Sequence, residues 1–350
     1  MREGEHMQEI VTTPLEPAGP NPLAAPTLRW GILAPGTIAA LFARDVTAHS
    51  RSTITAVGSR DRDRARAFAE RFEIPSAYGS YAELVDDEAV DVVYVASPHS
   101  LHYEHALAAI SAGKHVLVEK AFTRNAFEAE EVFRAARTAG VFVMEAMWTR
   151  FLPPFYTLRA LLARGTIGEI VHVYAAHGQA VAHVPRLAQP QLAGGALLDL
   201  GVYPVSFVHH LLGAPSAVTA AGHLSPAGVD ETVGITMTYP RAVATVATTM
   251  LSRSNNIAEV SGTQGRITLS DTFYHPSTRL TVHPIDADPY TLASDVAGGY
   301  QFQAAEVARN VYARVQESPL MPWQDTLDVM RTLDAVRDHL GVEFPNERRG

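Results

Sequence analysis

The chain has 350 residues, 47% of them hydrophobic and 19% charged, with a formal net charge of −9. That length predicts two domains and a core large enough to stand without metals or disulfides. The lack of cysteine excludes a disulfide framework, thiolate zinc sites, iron–sulfur clusters and a cysteine nucleophile; the acidic balance disfavours a nucleic-acid binder, and no apolar run approaches the roughly 18 residues that span a bilayer.

Residues 1–26 carry Pro14, Pro17, Pro20, Pro22 and Pro26 and lack the basic start and apolar middle of a secretory signal. They predict a disordered or loosely extended tail on a cytoplasmic protein, or an arm docked on a neighbouring subunit. From Leu28 to Ala146 strand and helix alternate. Leu28–Leu33 reads as a buried parallel strand and Thr37–Ala48 as a helix. Ile54–Gly58 is a second strand, and Asp61 can N-cap the Arg-rich helix after it. Ser80 and Glu83 have capping-box spacing. Val92–Ala96 is a β-branched strand, followed by a helix from Leu101 to a Gly113 stop. Val116–Val118 is a strand. Asn125 and Glu128 open a helix that ends at Gly140, and Val141–Met144 is a strand again. Such βα repeats predict an α/β parallel sheet with helices on both faces, a dinucleotide-binding domain over residues 27–147.

After Met147 the texture changes. A helix near Pro154–Arg164 leads into the strand Ile170–Ala176, and a glycine-rich segment and helix cover Gly194–Leu212. Strand-like stretches follow at Val218–His223, Gly234–Tyr239, Ala242–Thr249, Ala258–Gly262, Arg266–Leu269 and Arg279–His283. Helices at Gln301–Gln316 and Trp323–Leu340 close the chain. Residues 148–350 therefore read as an α+β substrate and oligomerisation domain with a large open, mainly antiparallel sheet.

Ligands of doubly wound sheets bind beyond the carboxyl ends of the strands. There the first strand gives Gly31-Ile32-Leu33-Ala34-Pro35-Gly36-Thr37-Ile38-Ala39. A glycine-bearing turn into a helix lets backbone approach a pyrophosphate, and the helix N-terminus offers free N–H groups. Ala34 stands where the second glycine of the dinucleotide fingerprint would lie. The second strand ends at Ser59-Arg60, without the carboxylate that binds ribose hydroxyls in NAD-specific sites. A hydroxyl and a guanidinium suit a 2′-phosphate, and Arg64 can reach it from the following helix turn; the cofactor expected is NADP, with NAD as the alternative. Arg62 and Arg66 read as a solvated helix face.

The strand ending at Val118 delivers Glu119 and Lys120 to the same crevice. Far along the chain, Gly194-Gly195 precedes Asp199 and Tyr203, which share one face if the segment is helical. Taken singly, these read as a surface ion pair, a helix cap and a core tyrosine. Together they resemble the glucose–fructose oxidoreductase and inositol dehydrogenase (Gfo/Idh/MocA) family, over Arg29 to Pro345. The stretches that carry it include Ser97-Pro98-His99 through His102, and Ala112 through Lys120. Within the family the sequence is similar to the dimeric dihydrodiol dehydrogenase and NADP-dependent xylose dehydrogenase branch, through Met144 to Phe151, Gly194 to Tyr203, and Ser261 to Gly265.

The resemblance implies a Rossmann domain followed by an open-sheet domain, and catalytic roles for Lys120 and Tyr203 with Asp199 orienting them. It puts Ser97, Pro98, His99, His102 and Glu119 beside the cofactor. Ala121 departs from the Pro that commonly follows the Glu-Lys pair. Chemically, alcohol oxidation needs a proton acceptor, and a phenol near pKa 10 needs help at neutral pH; a nearby Lys120 ammonium is expected to lower the Tyr203 pKa and to bond the substrate oxygen. Trp148 and Phe151 are candidate pocket walls, with plain core packing as the alternative.

His99, His102 and His105, and the pair His209-His210, form no recognised ligand set, so no metal is expected. His102 is assigned to orienting the loop beneath the nicotinamide. The function expected is an NADP-dependent oxidoreductase acting on a cyclic polyhydroxyl substrate, an aldopyranose such as xylose or a dihydrodiol. The alternatives are an NAD-using glycosidase on the same fold and a non-catalytic NADP-binding regulator. A homo-oligomer through the open sheet is the expected assembly.

Overall fold

The computed structural model describes residues 12–14, 16, 18–270 and 272–348. Strand β1 (Thr12–Pro14) precedes the first βα series: β2 (Arg29–Leu33), α1 (Thr37–His49), β3 (Thr53–Gly58), α2 (Arg62–Phe72), β4 (Ser76–Tyr78), α3 (Tyr81–Val85), β5 (Val92–Val95), α4 (His102–Ser111), β6 (His115–Val118), α5 (Ala126–Ala139) and β7 (Val143–Glu145). The strands β2 to β7 form one parallel sheet in the order β4-β3-β2-β5-β6-β7. The β-branched run of β5 is buried on both faces, as a central parallel strand requires. The capping residues act as expected: Asp61 accepts from the Asp63 and Arg64 amides, Ser80 from Glu83, and Asn125 from Glu128. Gly113 and Gly140 stop α4 and α5 at φ 73° and 72°, the left-handed region where glycine pays no Cβ penalty.

The rest of the chain gives α6 (Pro153–Ala163), β8 (Ile170–Gly178), α7 (Val202–Leu212), β9 (Ala217–Leu224), β10 (Asp230–Thr238), β11 (Val243–Thr249), β12 (Ala258–Gly262), β13 (Gly265–Ser270), β14 (Arg279–Pro284), β15 (Tyr290–Ala293), α8 (Tyr300–Tyr312) and α9 (Trp323–Leu340). The second sheet has nine strands in the order β1-β15-β14-β13-β12-β8-β11-β10-β9. It is mixed: β8 pairs with β11, and β1 with β15, in parallel, and the other pairings are antiparallel. Strict alternation in β10 and β11 buries Val233, Ile235, Met237, Ala244 and Val246 on the inner face, beneath α7 and α9.

Three differences from the sequence reading stand out. The described part of the proline-rich segment is not a loose tail: Thr12–Pro14 adds an edge strand to β15, where a proline costs no ladder bond, and Asn21 caps a short 3₁₀ turn over Pro22–Ala24; residues 1–11, 15 and 17 lie outside the description. The short strands β4 and β15 were not anticipated. Helices α8 and α9 do not belong to the second sheet alone, since α8 packs on α1 and α9 on α5. Trp323 locks this junction, stacking on Phe133 at 5.1 Å and donating its indole N–H to Val143 O at 2.9 Å.

Candidate active site

The carboxyl ends of the parallel strands meet the inner face of the mixed sheet, and there Lys120 and Asp199 come together. Lys120 follows β6. Its ammonium donates to the Asp199 carbonyl oxygen at 2.6 Å and to Asp199 Oδ1 at 3.3 Å, and lies 5.0 Å from the centroid of the Tyr203 ring. The peptide bond after Lys120 is cis. Asp199 sits in a π-helical turn, Leu197–Gly201, that runs directly into α7 with Tyr203. A π-turn carries i→i+5 bonds and frequently marks a functional site, so the even α-helical face expected for Asp199 and Tyr203 is replaced by a widened turn. Both residues still reach Lys120.

Burial by itself raises the Asp199 pKa, but the cations of Lys120 and then Arg186 outweigh it and hold the carboxyl well below its usual range. Arg186 Nη2 donates to Asp199 Oδ1 at 3.1 Å. His99 Nε2 approaches the same oxygen at 3.8 Å while its Nδ1 faces Ala193 O at 3.2 Å. Desolvation pushes the His99 pKa down to about 3, so the ring is neutral.

The Tyr203 phenol corrects the expectation set by its neighbour. Desolvation and the adjacent Tyr300, Glu119 and Asp199 groups push its pKa well above 10. The Lys120 charge is directed at Asp199 and at the phenol's ring face, so it does not generate a phenolate. Tyr203 is therefore a neutral phenol. Around it stand His177, with ring centroids 5.2 Å apart, and Tyr274 at 5.0 Å. Gln179 Nε2 donates to His177 Nε2 at 2.9 Å and to the Tyr274 hydroxyl at 3.1 Å.

Behind Lys120, Glu119 accepts a short hydrogen bond from the Tyr94 hydroxyl and one from the Lys120 amide at 3.2 Å, and burial raises its pKa. His102 is fully buried, with Nδ1 2.8 Å from Ala121 O and Nε2 2.7 Å from Ser97 O. The ring thus sits between the Ser97-Pro98 loop and the residue after Lys120, its single N–H donating to one of the two carbonyls. Ser97 Oγ is also bonded, to His105 Nδ1 at 2.9 Å. His209 and His210 lie away from these groups, against Thr332 and Arg159.

The first strand turn is built to admit an anion. Gly31 packs so tightly that a Cβ would meet Val90 at 2.9 Å, whereas a Cβ on Gly36 meets nothing within 4 Å. Gly36 begins α1 without a side-chain cap, leaving the N–H groups at Thr37 and Ile38 for a ligand. Ala34 takes φ 71°, a glycine-like conformation that costs an alanine about 1 kcal/mol. These features fit a dinucleotide pyrophosphate. At the end of β3, Ser59 is buried and its hydroxyl accepts from the Asp61 amide at 3.2 Å. Arg60 is exposed and has no hydrogen-bond or ion-pair partner among the described residues. Arg64 Nε donates to Pro35 O at 3.1 Å, which draws its guanidinium against the same turn. Asp61 is spent on capping α2 and Asp63 faces Arg66 at 3.7 Å; Arg62 pairs with Glu83 on the surface.

Trp148 is 8% exposed and stacks flat on Tyr300, with centroids 4.6 Å apart and planes 7° from parallel. Its indole N–H has no partner among the described residues. Phe151, for which the sequence leaves pocket wall and core packing open, is 1% exposed and belongs to the core. Arg186, His177, Gln179, Tyr274 and Tyr300 were not picked out from the sequence. No local motif marks them; β8 and the loops beside the nine-stranded sheet supply His177, Gln179 and Tyr274, the start of α8 supplies Tyr300, and Arg186 comes from the turns ahead of Asp199.

Residues 28–147 match the family described as "Oxidoreductase family, NAD-binding Rossmann fold", and residues 155–268 match the GFO/IDH/MocA C-terminal domain. The chain is 36% identical over 333 residues to the human trans-1,2-dihydrobenzene-1,2-diol dehydrogenase, covering 92% of this chain and 99% of that protein. It resembles the structure of a 3-ketoreductase from Actinomadura kijaniata in complex with NADP and TDP-benzene, at TM-score 0.79 and 29% identity over 90% of this chain and 98% of that one. The aldose-aldose oxidoreductase from Caulobacter crescentus shares the fold, at TM-score 0.82 and 22% identity over 90% and 98% of the two chains. The chain belongs to the Gfo/Idh/MocA family of NAD(P)-dependent oxidoreductases.

Proposed function

We propose that this protein is an NADP-dependent dehydrogenase that interconverts a CH–OH group and a carbonyl on a cyclic polyhydroxyl substrate, an aldopyranose such as xylose or a dihydrodiol. The observation that carries the reading is the convergence of Lys120, Asp199 and the neutral Tyr203 at the carboxyl end of β6. The bound nicotinamide supplies the hydride chemistry. Gly31, Ala34, Pro35, Gly36, Thr37 and Ile38 bind its pyrophosphate side, and Ser59, Arg60 and Arg64 bind the 2′-phosphate. Tyr203 gives its proton to the substrate oxygen during reduction, leaving a phenolate; in the oxidation direction the phenol must first lose its proton to solvent, and the phenolate then takes up the substrate's hydroxyl proton. Lys120 hydrogen-bonds the same oxygen, where negative charge develops, and Asp199 holds the ammonium in place. His102, Ser97, Pro98, His99 and Glu119 shape the loop and strand end beneath this group. Trp148, mostly buried and stacked on Tyr300, is proposed as an apolar wall of the substrate pocket.

The dihydrodiol and NADP parts of the reading draw on the named activity of the human relative and on the ligand of the Actinomadura structure. A spectrophotometric screen for NADPH formation across aldoses, polyols and cyclic diols tests it. Turnover of acyclic hydroxy acids alone would contradict it. Aglycone release without net NADPH would favour a glycosidase, and tight NADP binding with no turnover a regulator. The absence of cysteine suits a reducing compartment, and we place the reaction in the cytoplasm. A second copy of the chain is proposed on the outer face of the mixed sheet, where Thr219, Ala221, Gly234, Thr236, Thr245 and Ala247 lie exposed and adjacent. Light scattering of the native chain and of Thr245→Glu tests this: an oligomer that dissociates in the variant is expected, and a monomeric native chain rules it out.

A further inference from the structure

The π-turn that carries Asp199 is held from the mixed sheet at both ends. At its end, His177 of β8 donates through Nδ1 to Leu200 O at 3.0 Å. Gln179 donating to Nε2 fixes that tautomer, and the Thr248 hydroxyl bonds the His177 carbonyl at 3.0 Å. At its start, Asp230, the first residue of β10, is 1% exposed and accepts from the Leu197 amide at 2.6 Å. Gly195 makes the approach possible. It takes φ 110°, and a Cβ there would overlap Asp230 Oδ1.

We propose that Asp230 is a positioning residue of the candidate active site, a buried side chain from the mixed sheet that fixes the start of the π-turn and so sets where Asp199 receives Lys120. The inference rests on the dehydrogenase reading above. The path is short: Asp230 bonds Leu197, and Asp199, two residues on, takes the Lys120 ammonium through its backbone carbonyl as well as its carboxylate. A shift of the turn's backbone therefore moves the Lys120 anchor directly. The Leu197 N–H needs an acceptor oxygen at this position, and a carboxylate or an amide carbonyl can each supply it. Asparagine keeps that oxygen; alanine removes it and leaves a buried N–H unpaired.

The experiment compares the full-length protein with Asp230→Asn and Asp230→Ala by kcat, NADP affinity and amide hydrogen exchange over residues 196–203. Asp230→Ala is expected to lose exchange protection in that segment and ~10- to 100-fold in kcat, the scale of misplacing a reacting group by about an ångström. Its NADP affinity should change by less than roughly 3-fold, a fraction of the tenfold that 1.4 kcal/mol represents. Asp230→Asn should keep both protection and turnover. Protection and kcat that survive Asp230→Ala would overturn the assignment, as would an Asn variant as damaged as the Ala variant. Should Asp230→Ala not accumulate folded, Asp230→Ser takes its place: it stays polar but lacks the reach, with the same expected and overturning results. The exchange measurement needs no substrate. A native protein that turns over nothing in the screen therefore counts against the dehydrogenase reading, and the Asp230 assignment is then decided by exchange protection.

Discussion

Lys120 Nζ and the backbone carbonyl of Asp199 are 2.6 Å apart, and this bond joins the parallel sheet to the mixed sheet. Its two residues are 79 positions apart, yet each sits within a residue or two of a regular element's end. The ammonium is anchored twice on Asp199, by carbonyl and carboxylate, and its third N–H has no hydrogen-bond partner among the described residues.

Lys120→Met should lower kcat by ~100-fold or more, the scale of losing one positioned polar group. Dinucleotide affinity should move by less than roughly 3-fold, because the Gly36 turn and the β3 end are untouched. Steady-state kinetics with a cofactor titration checks this. Near-normal turnover would show the lysine to be a structural tie between the sheets.

Tyr203→Phe should likewise abolish most turnover with the fold intact. Because the phenol's pKa is pushed well above its ordinary value, the native enzyme's rate of carbonyl reduction should stay flat as pH rises toward about 10. A basic limb near neutral pH that vanishes in the Phe variant would show that the phenol ionises there, and that Lys120 acts on it more strongly than its position over the ring suggests.

Most of the first sheet was legible because its signals are local. The Asp61, Ser80 and Asn125 caps, the Gly113 and Gly140 stops and the β-branched run at Val92 each fix an element within a few residues. Lys120, Asp199 and Tyr203 were legible as a set through resemblance, since no spacing rule links residue 120 to residue 199. What escaped depends on long-range packing. The π-turn at Leu197–Gly201 arises because Asp230 and His177 seize its two ends, and neither has a sequence signature. Phe151 stays open between pocket wall and core in the sequence, because an aromatic near a strand end looks the same whether it faces the crevice or the core; it lies in the core. The direction of the Tyr203 shift escapes sequence reasoning for a related reason: the nearby ammonium can be inferred, but not the burial that raises the phenol's pKa.

Acid should destabilise the protein through buried histidines. Desolvation, then the Lys120 charge, pushes the His177 pKa down to about 4. An unfolded histidine titrates near 6.5, so below about pH 6.5 the unfolded chain binds a proton that the folded chain refuses, and stability falls as pH falls. His177 alone then costs on the order of 2 kcal/mol by about pH 5. His99 and His102, pushed down to about 3 and about 4 by burial, act in the same direction. Glu145, raised by burial to about 7, and Asp230 and Asp334, each raised by burial to about 6, act oppositely and add stability as pH falls, but their shifts are outweighed by those of the three histidines together with His105 and His209, which burial pushes down to about 4 and about 3. Thermal melting should therefore drop between about pH 7 and pH 5. His177→Asn, which keeps an N–H for Leu200 O, should flatten part of the slope. A melting temperature independent of pH over that range, or an unchanged slope in the variant, would contradict the account.

Preference for NADP over NAD should rest on Arg60. The guanidinium is exposed at the end of β3 with no partner among the described residues, while Arg64 is already committed to Pro35 O. Asp61 is committed to capping α2 and Asp63 stands out in solvent facing Arg66. In a chain of net charge −9 attraction for that phosphate must come from this local patch. A hydrogen bond to a charged group contributes ~1.5–3 kcal/mol, and each 1.4 kcal/mol is about tenfold in affinity. Arg60→Ala should thus weaken NADP binding by roughly 10- to 100-fold and leave NAD binding nearly unchanged. Arg64→Ala should do less to the specificity ratio and more to both cofactors, because it also loosens the Pro35 turn over the pyrophosphate. Measuring kcat/KM with each cofactor, before and after substitution, separates the two. If the native protein uses both cofactors and Arg60→Ala weakens both equally, Arg60 touches only the parts they share, and discrimination must arise elsewhere along the β3 end.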